Sequence, residues 1–208
     1  MINLKIKSKL FFLVNFLLVY FIFLFFTNAF AENINNKNLV TIGSDKAAVK
    51  IKIFSSLTCP HCANFHIKVI PKIKKEYVDT GKVQLIFIDF PLDQAAFNAS
   101  KLLHCLDSEK QIAFLDTAYE NQSDWTSGSN IEVINNNLKK IVKNLGISSE
   151  HFDNCLNNNA ISDRILNGRI DGHKKYSINA TPTIIINDKK LEGSANFVDI
   201  KKKIEKLI

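Results

Sequence analysis

The sequence lacks a second Cys-x-x-Cys pair, lacks a histidine directly after the pair it has, shows no internal repeat, and carries little net charge beyond its leading segment. Each absence removes a class of function. Covalent haem attachment needs His straight after the second cysteine of the pair, and Ala63 stands there instead. A four-cysteine zinc site needs a second pair at ligand spacing, whereas Cys105 and Cys155 stand alone. The weaker zinc alternative, Cys59 with Cys62 and His66 on one helix face, stays open, but no metal is expected, and His66 reads first as a packed helix residue. Nucleic-acid binding loses its support as well. The 208 residues hold 27 basic and 20 acidic side chains, net +7. Three of the basic ones, Lys5, Lys7 and Lys9, lie in the first 31 residues, so the remaining 177 residues carry 24 basic against 20 acidic groups, net +4.

What is present begins with those lysines. They precede an apolar run from Leu10 to Phe26 and the small-residue site Ala29-Phe30-Ala31, the layout of a secretory signal peptide, with 8 of the 16 phenylalanines falling before Glu32. The alternative is an uncleaved anchor, since 17 apolar residues are near the lower limit for a span. Cleavage after Ala31 is the expectation, because the A-x-A site follows at once and no basic stop-transfer cluster does. Residues 1–31 are therefore read as signal peptide, 32–38 as a flexible, asparagine-rich lead-in, and 39–208 as one domain. All four cysteines fall in the exported part, where disulfide chemistry is the default. The abundance of Lys, Ile and Asn hints at an AT-rich bacterial genome, which makes the expected compartment the periplasm.

Val49 to Phe54 alternates as a strand, with Ile51 and Ile53 inward and Lys50 and Lys52 outward. Past Cys59, helical spacing continues to Asp79-Thr80-Gly81 with a kink expected at Pro71. Val83 to Ile88 reads as a central strand covered on both faces, so strand, helix and strand imply a parallel right-handed crossover. From Gln94 to about Ser177 the pattern is helical, with stripes over Ala95–Leu106 and Ile131–Leu145, a stretch from Ser148 to Leu156, and an irregular one from Ala160 to Tyr176. Thr183–Ile186 is a strand, Asn187-Asp188-Lys189-Lys190 a turn, Leu191 the return strand, and Phe197, Ile200, Ile204 and Leu207 the face of a closing helix. The fold class is α/β.

Two thiols two residues apart at a helix start can close into a disulfide within one turn, and the first sits where free amides and the helix dipole favour a thiolate. Cys59 is thus the expected nucleophile and Cys62, one turn deeper, the resolving thiol. Pro60 suits the first helical turn, and His61 is expected to turn a partly positive ring toward the thiolate. A stabilised thiolate makes the disulfide a stronger oxidant. A purely structural Cys59–Cys62 bond in a binding module is the competing reading; it predicts a buried, inert bond, whereas chemistry predicts a partly exposed first sulfur.

CPHC after a strand, Thr181-Pro182 before a strand, and the stretch EYVDTGKVQLIFIDFPL between them resemble the DsbA-like thioredoxin-fold disulfide oxidoreductases over roughly residues 39 to 208. The resemblance implies a thioredoxin-like fold with an inserted helical subdomain, about 94–177. It also implies a cis-proline at Pro182, whose loop with Thr181 docks substrate. No cofactor is implied. The partners implied are reduced secretory or periplasmic proteins, with a quinone-linked membrane protein that reoxidises the pair. One position departs from the family: many relatives carry an acid six residues before the first cysteine to handle the resolving thiol's proton, and Ile53 stands there. Proton transfer from Cys62 then falls to water or to another acid brought close by folding. A disulfide isomerase or reductase is the runner-up; such relatives usually carry an N-terminal dimerisation domain, for which the segment before Val49 leaves no room. Cys105 and Cys155, on separate helices of the insertion, are expected to form a structural disulfide, with two free buried thiols or a second redox relay as alternatives.

Overall fold

The computed structural model describes residues 39–208; the expected signal peptide, its cleavage point after Ala31 and the lead-in lie outside them. Five strands form one sheet in the order β1-β3-β2-β4-β5. β2 (Val49–Ser55) lies at its centre, with Val49, Ile51 and Ile53 buried on one face and Phe54 on the other, while Lys50 stays exposed. Val49, Ile51 and Ile53 face the larger core, and Phe54 turns to the opposite face against Phe90, Ile178 and Ile185. β3 (Val83–Asp89) runs parallel to β2 with Ser55 opposite Asp89, and β4 (Thr183–Ile186) runs antiparallel on the other side. A parallel neighbour requires a crossover, and the helical stretch from Pro60 supplies it.

That stretch breaks where proline requires. α1 (Pro60–Lys68) stops at Val69, and α2 (Ile70–Ile73) restarts with Pro71 in its first turn, because proline has no N–H to donate back and its ring crowds the carbonyl one turn earlier. A π-helical turn, Lys74–Val78, follows before β3. Between β3 and β4 run α3 (Gln94–Cys105), α4 (Ser108–Glu120), α5 (Gln122–Trp125), α6 (Ile131–Asn144), α7 (Ser149–Leu156) and α8 (Asn159–Tyr176). Four of these start on a side-chain cap: Asp93 accepts from Ala96, Asn130 from Val133, Ser148 from His151 and Asn158 from Ile161. Gly146, at φ +79°, closes α6 in the left-handed conformation that a side chain resists.

The structure departs from the sequence reading in three places. The edge strand β1 (Val40–Ile42), antiparallel to β3, is three residues long, too short for alternation to announce it. Helices α4 and α5 leave no clear stripe in the sequence, because α4 buries only Phe114, Leu115, Ala118 and Tyr119 among polar residues. The last hairpin turns through Asn187 and Asp188 alone, both at positive φ as a tight two-residue turn needs. The return strand β5 is therefore Lys189–Lys190 rather than Leu191, and α9 (Phe197–Ile204) closes the chain with Ile200 and Ile204 buried but Leu207 exposed. Among the described residues no helix is long and apolar enough to cross a membrane.

Candidate active site

Cys59 occupies the N-cap of α1 in an extended conformation, with Pro60 opening the helix and Cys62 one turn in. Its carbonyl accepts the amides of Cys62 and Ala63 at 3.0 and 3.1 Å, which winds the first turn tightly around the two sulfurs. The peptide bond between Thr181 and Pro182 is cis, and the Cys59 thiol donates to the Thr181 carbonyl at 3.4 Å across 122 residues of sequence. CPHC and the Thr181-Pro182 loop therefore meet, one at the C-terminal end of β2 and the other at the start of the adjacent antiparallel β4. Both Cys59 and Cys62 are free thiols.

The two sulfurs differ electrostatically. Burial raises the pKa of Cys59, but hydrogen bonds from Thr181, from the amide and thiol of Cys62 and from the amide of His61 outweigh it, so the thiol lies below its ordinary value. At Cys62 burial dominates, the neighbouring Cys59 charge adds to it, and the thiol is pushed up to about 12. The buried Thr181 hydroxyl has no other partner, so its proton serves whichever of the two sulfurs is anionic. His61 supports Cys59 through its backbone. Its main-chain N–H serves the thiolate while its side chain is exposed. The first sulfur is also less open than expected: Cys59 is 7% exposed against 2% for Cys62, so the order of depth holds but the partial exposure does not. Exposure therefore does not separate a reactive pair from an inert one here; the two thiols differ in the direction of their acidity.

Several supports had no sequence signal. Gln122 of α5, buried, donates to the carbonyls of Leu57 at 2.7 Å and Cys59 at 3.2 Å, so the inserted helices hold the backbone of the redox loop. Thr58 donates to Asp93 at 2.7 Å, tying the same loop to the cap of α3. His66, offered above as a zinc ligand, is buried with Nε2 at 2.7 Å from Asp116 and its ring against Tyr119 and Phe87. Ile53 is core, and Lys52 on the opposite face donates to Asp188 at 2.7 Å and Tyr176 at 3.2 Å. An acid does lie at this end of the sheet: Asp89, beside Ser55 in register, is held by the Ser100 hydroxyl and by Nε2 of His104, each at 2.5 Å. The Tyr119 hydroxyl is buried and without a partner. Burial first, then the charges of Cys62, Asp89 and Cys59, push its pKa up.

Away from this site, Cys105 at the end of α3 and Cys155 on α7 are joined in a disulfide with Cα atoms 5.7 Å apart.

The sequence profile of the family described as thioredoxin matches residues 35–206. The chain is 28% identical over 178 residues to the disulfide bond formation protein D of Bacillus subtilis, covering 82% of this chain and 77% of that protein. Among solved structures, Wolbachia pipientis α-DsbA1 superposes with a TM-score of 0.75 at 31% identity, covering 82% of this chain and 91% of the other. BdbD from Bacillus subtilis, in its oxidised form, gives 0.69 at 27% identity, covering 82% and 92%.

Proposed function

We propose that this chain, which belongs to the thioredoxin family and within it to the DsbA-like thiol-disulfide oxidoreductases, donates the Cys59–Cys62 disulfide to reduced proteins in the periplasm. The observation that carries the direction is the opposed acidity of the two thiols. A substrate thiolate attacks the Cys59 sulfur, the Cys59–Cys62 bond breaks, and Cys62 leaves and takes up a proton. In the resulting mixed disulfide a second substrate thiolate attacks the substrate's own sulfur and expels Cys59 as a thiolate. The substrate leaves oxidised by two electrons and the CPHC pair is reduced. A lowered pKa makes Cys59 a good leaving group in that second step. Cys62, held protonated, is slow to attack the mixed disulfide and return the substrate reduced. Both effects favour oxidation of the substrate.

In this reading Thr181 and Pro182 form the docking loop, His61 contributes through its main chain, and the Cys105–Cys155 disulfide tethers α3 to α7 without entering the reaction. The reduced pair is returned to the disulfide by a quinone-linked membrane partner, as the family resemblance implies. Cys62→Ser is expected to trap mixed disulfides between Cys59 and substrate proteins, and Cys59→Ser to trap none, on non-reducing gels of cell extract. The assignment of roles fails if both variants trap equally. The oxidase direction fails if the reduction potential of the pair is as low as the roughly −270 mV of a reducing thioredoxin.

A further inference from the structure

The tether between α3 and α7 has a third neighbour. His151 and Cys155 stand four residues apart on α7 and so share one face, and Nε2 of His151 lies 3.9 Å from the Cys105 sulfur. The two sulfurs and the imidazole nitrogen all fall within 4.8 Å of one another, and no other described cluster of histidine, cysteine and acidic side chains converges in this way. We propose that, once its disulfide is reduced, the Cys105–His151–Cys155 cluster is a binding site for a thiophilic divalent cation, zinc being the probe, with the fourth position open to water.

The geometry fits the ion. Zinc holds sulfur at about 2.3 Å and imidazole nitrogen at about 2.0 Å, which in a tetrahedron sets a sulfur and a nitrogen roughly 3.6 Å apart and two sulfurs roughly 3.8 Å apart. The nitrogen-to-sulfur separation already stands near that value. The sulfurs have to part, which breaking the bond between them allows, and the Cys155 sulfur, within 4.8 Å of the nitrogen, has to settle at the same separation from it. The ligand chemistry also fits, since two thiolates and one neutral imidazole form a recognised zinc set that leaves one position free. Burial supplies both a floor and an entrance: Cys155 is enclosed, Cys105 half-buried and His151 exposed, so an ion enters from the histidine side.

The chemistry balances in two steps. A dithiol reductant gives two electrons and two protons to the Cys105–Cys155 bond, becoming a disulfide itself and leaving two thiols. The cation then replaces both thiol protons, which are released to solvent. Disulfide and metal are mutually exclusive holders of the same two sulfurs, and either one links α3 to α7. An oxidised tether and a zinc tether thus become alternative forms of one clasp, chosen by the reductant and zinc around it. The inference is independent of the direction proposed for Cys59 and Cys62, and its test removes that pair.

The test uses the full exported chain carrying Cys59→Ser and Cys62→Ser, oxidised or reduced with a phosphine, incubated with zinc and desalted. Reduced protein is expected to retain one equivalent and oxidised protein none. His151→Ala, a change at an exposed side chain, is expected to weaken retention roughly tenfold or more, the scale seen when even outer-shell partners of a metal are lost. Further replacement of Cys105 and Cys155 by Ala is expected to abolish it. Stoichiometric zinc is also expected to slow re-formation of the Cys105–Cys155 bond by glutathione disulfide about tenfold or more, with a chelator restoring the rate. Equal retention by oxidised and reduced protein, retention indifferent to His151, or loss of the cooperative unfolding transition on reduction even with zinc present would each overturn the proposal.

Discussion

The contrast between the two active-site thiols can be read directly by alkylation. A thiol pushed up to about 12 has, at neutral pH, a thiolate fraction about 3,000-fold smaller than an ordinary cysteine near 8.5. Its thiolate is intrinsically the better nucleophile. With a Brønsted slope of about 0.45, the same 3.5 units return roughly 40-fold, leaving Cys62 about 80-fold less reactive than an ordinary thiol before access is counted. The donors around Cys59 lower its pKa, so Cys59 is expected to be the faster of the two to alkylate. The assay is pulsed alkylation of the reduced protein with iodoacetamide at pH 7, followed by peptide mass analysis of each site. Raising the pH has a defined sign as well. Labelling of Cys59 is expected to level off once pH passes its lowered pKa, while labelling of Cys62 keeps rising tenfold per unit toward 12. Comparable rates at pH 7, or two parallel pH profiles, would refute the opposed acidities and with them the argument for substrate oxidation.

Two further predictions concern stability. Gly168 and Gly172 both lie in α8, and replacing either by Ala brings the helical preference of about 1 kcal/mol over glycine. A Cβ at Gly168 meets nothing within 4 Å, whereas one at Gly172 meets the buried Phe54 ring at 2.5 Å, so overpacking of about 1–3 kcal/mol applies there alone. Urea melts are expected to place Gly168→Ala above the parent protein and Gly172→Ala below Gly168→Ala by that margin; coincident midpoints would refute the contact. Replacing Cys105 and Cys155 by Ala releases a loop of 50 residues and is expected to cost up to about 4 kcal/mol, with alkylation of Cys59 unchanged. An unaltered melt would remove the tether's structural role.

Chemistry that depends on near neighbours in the chain was legible in the sequence itself. The alternation of Val49 to Phe54 fixed a strand, Cys59-Pro60 opened a helix, and two thiols one turn apart announced thiol chemistry, because each of these is set within a few residues. Pro71 announced its own break for the same reason. Tertiary structure decided what surrounds those thiols. Thr181 reaches Cys59 over 122 positions and Gln122 reaches it over 63, and neither contact leaves a local periodic trace. The opposed acidities follow from those contacts and from depth, since desolvation and hydrogen bonding act through space. Cys105, His151 and Cys155 carry no recognisable spacing along the chain. They converge only because α3 ends where α7 turns one face toward it, a packing decision that no segment of the sequence makes alone.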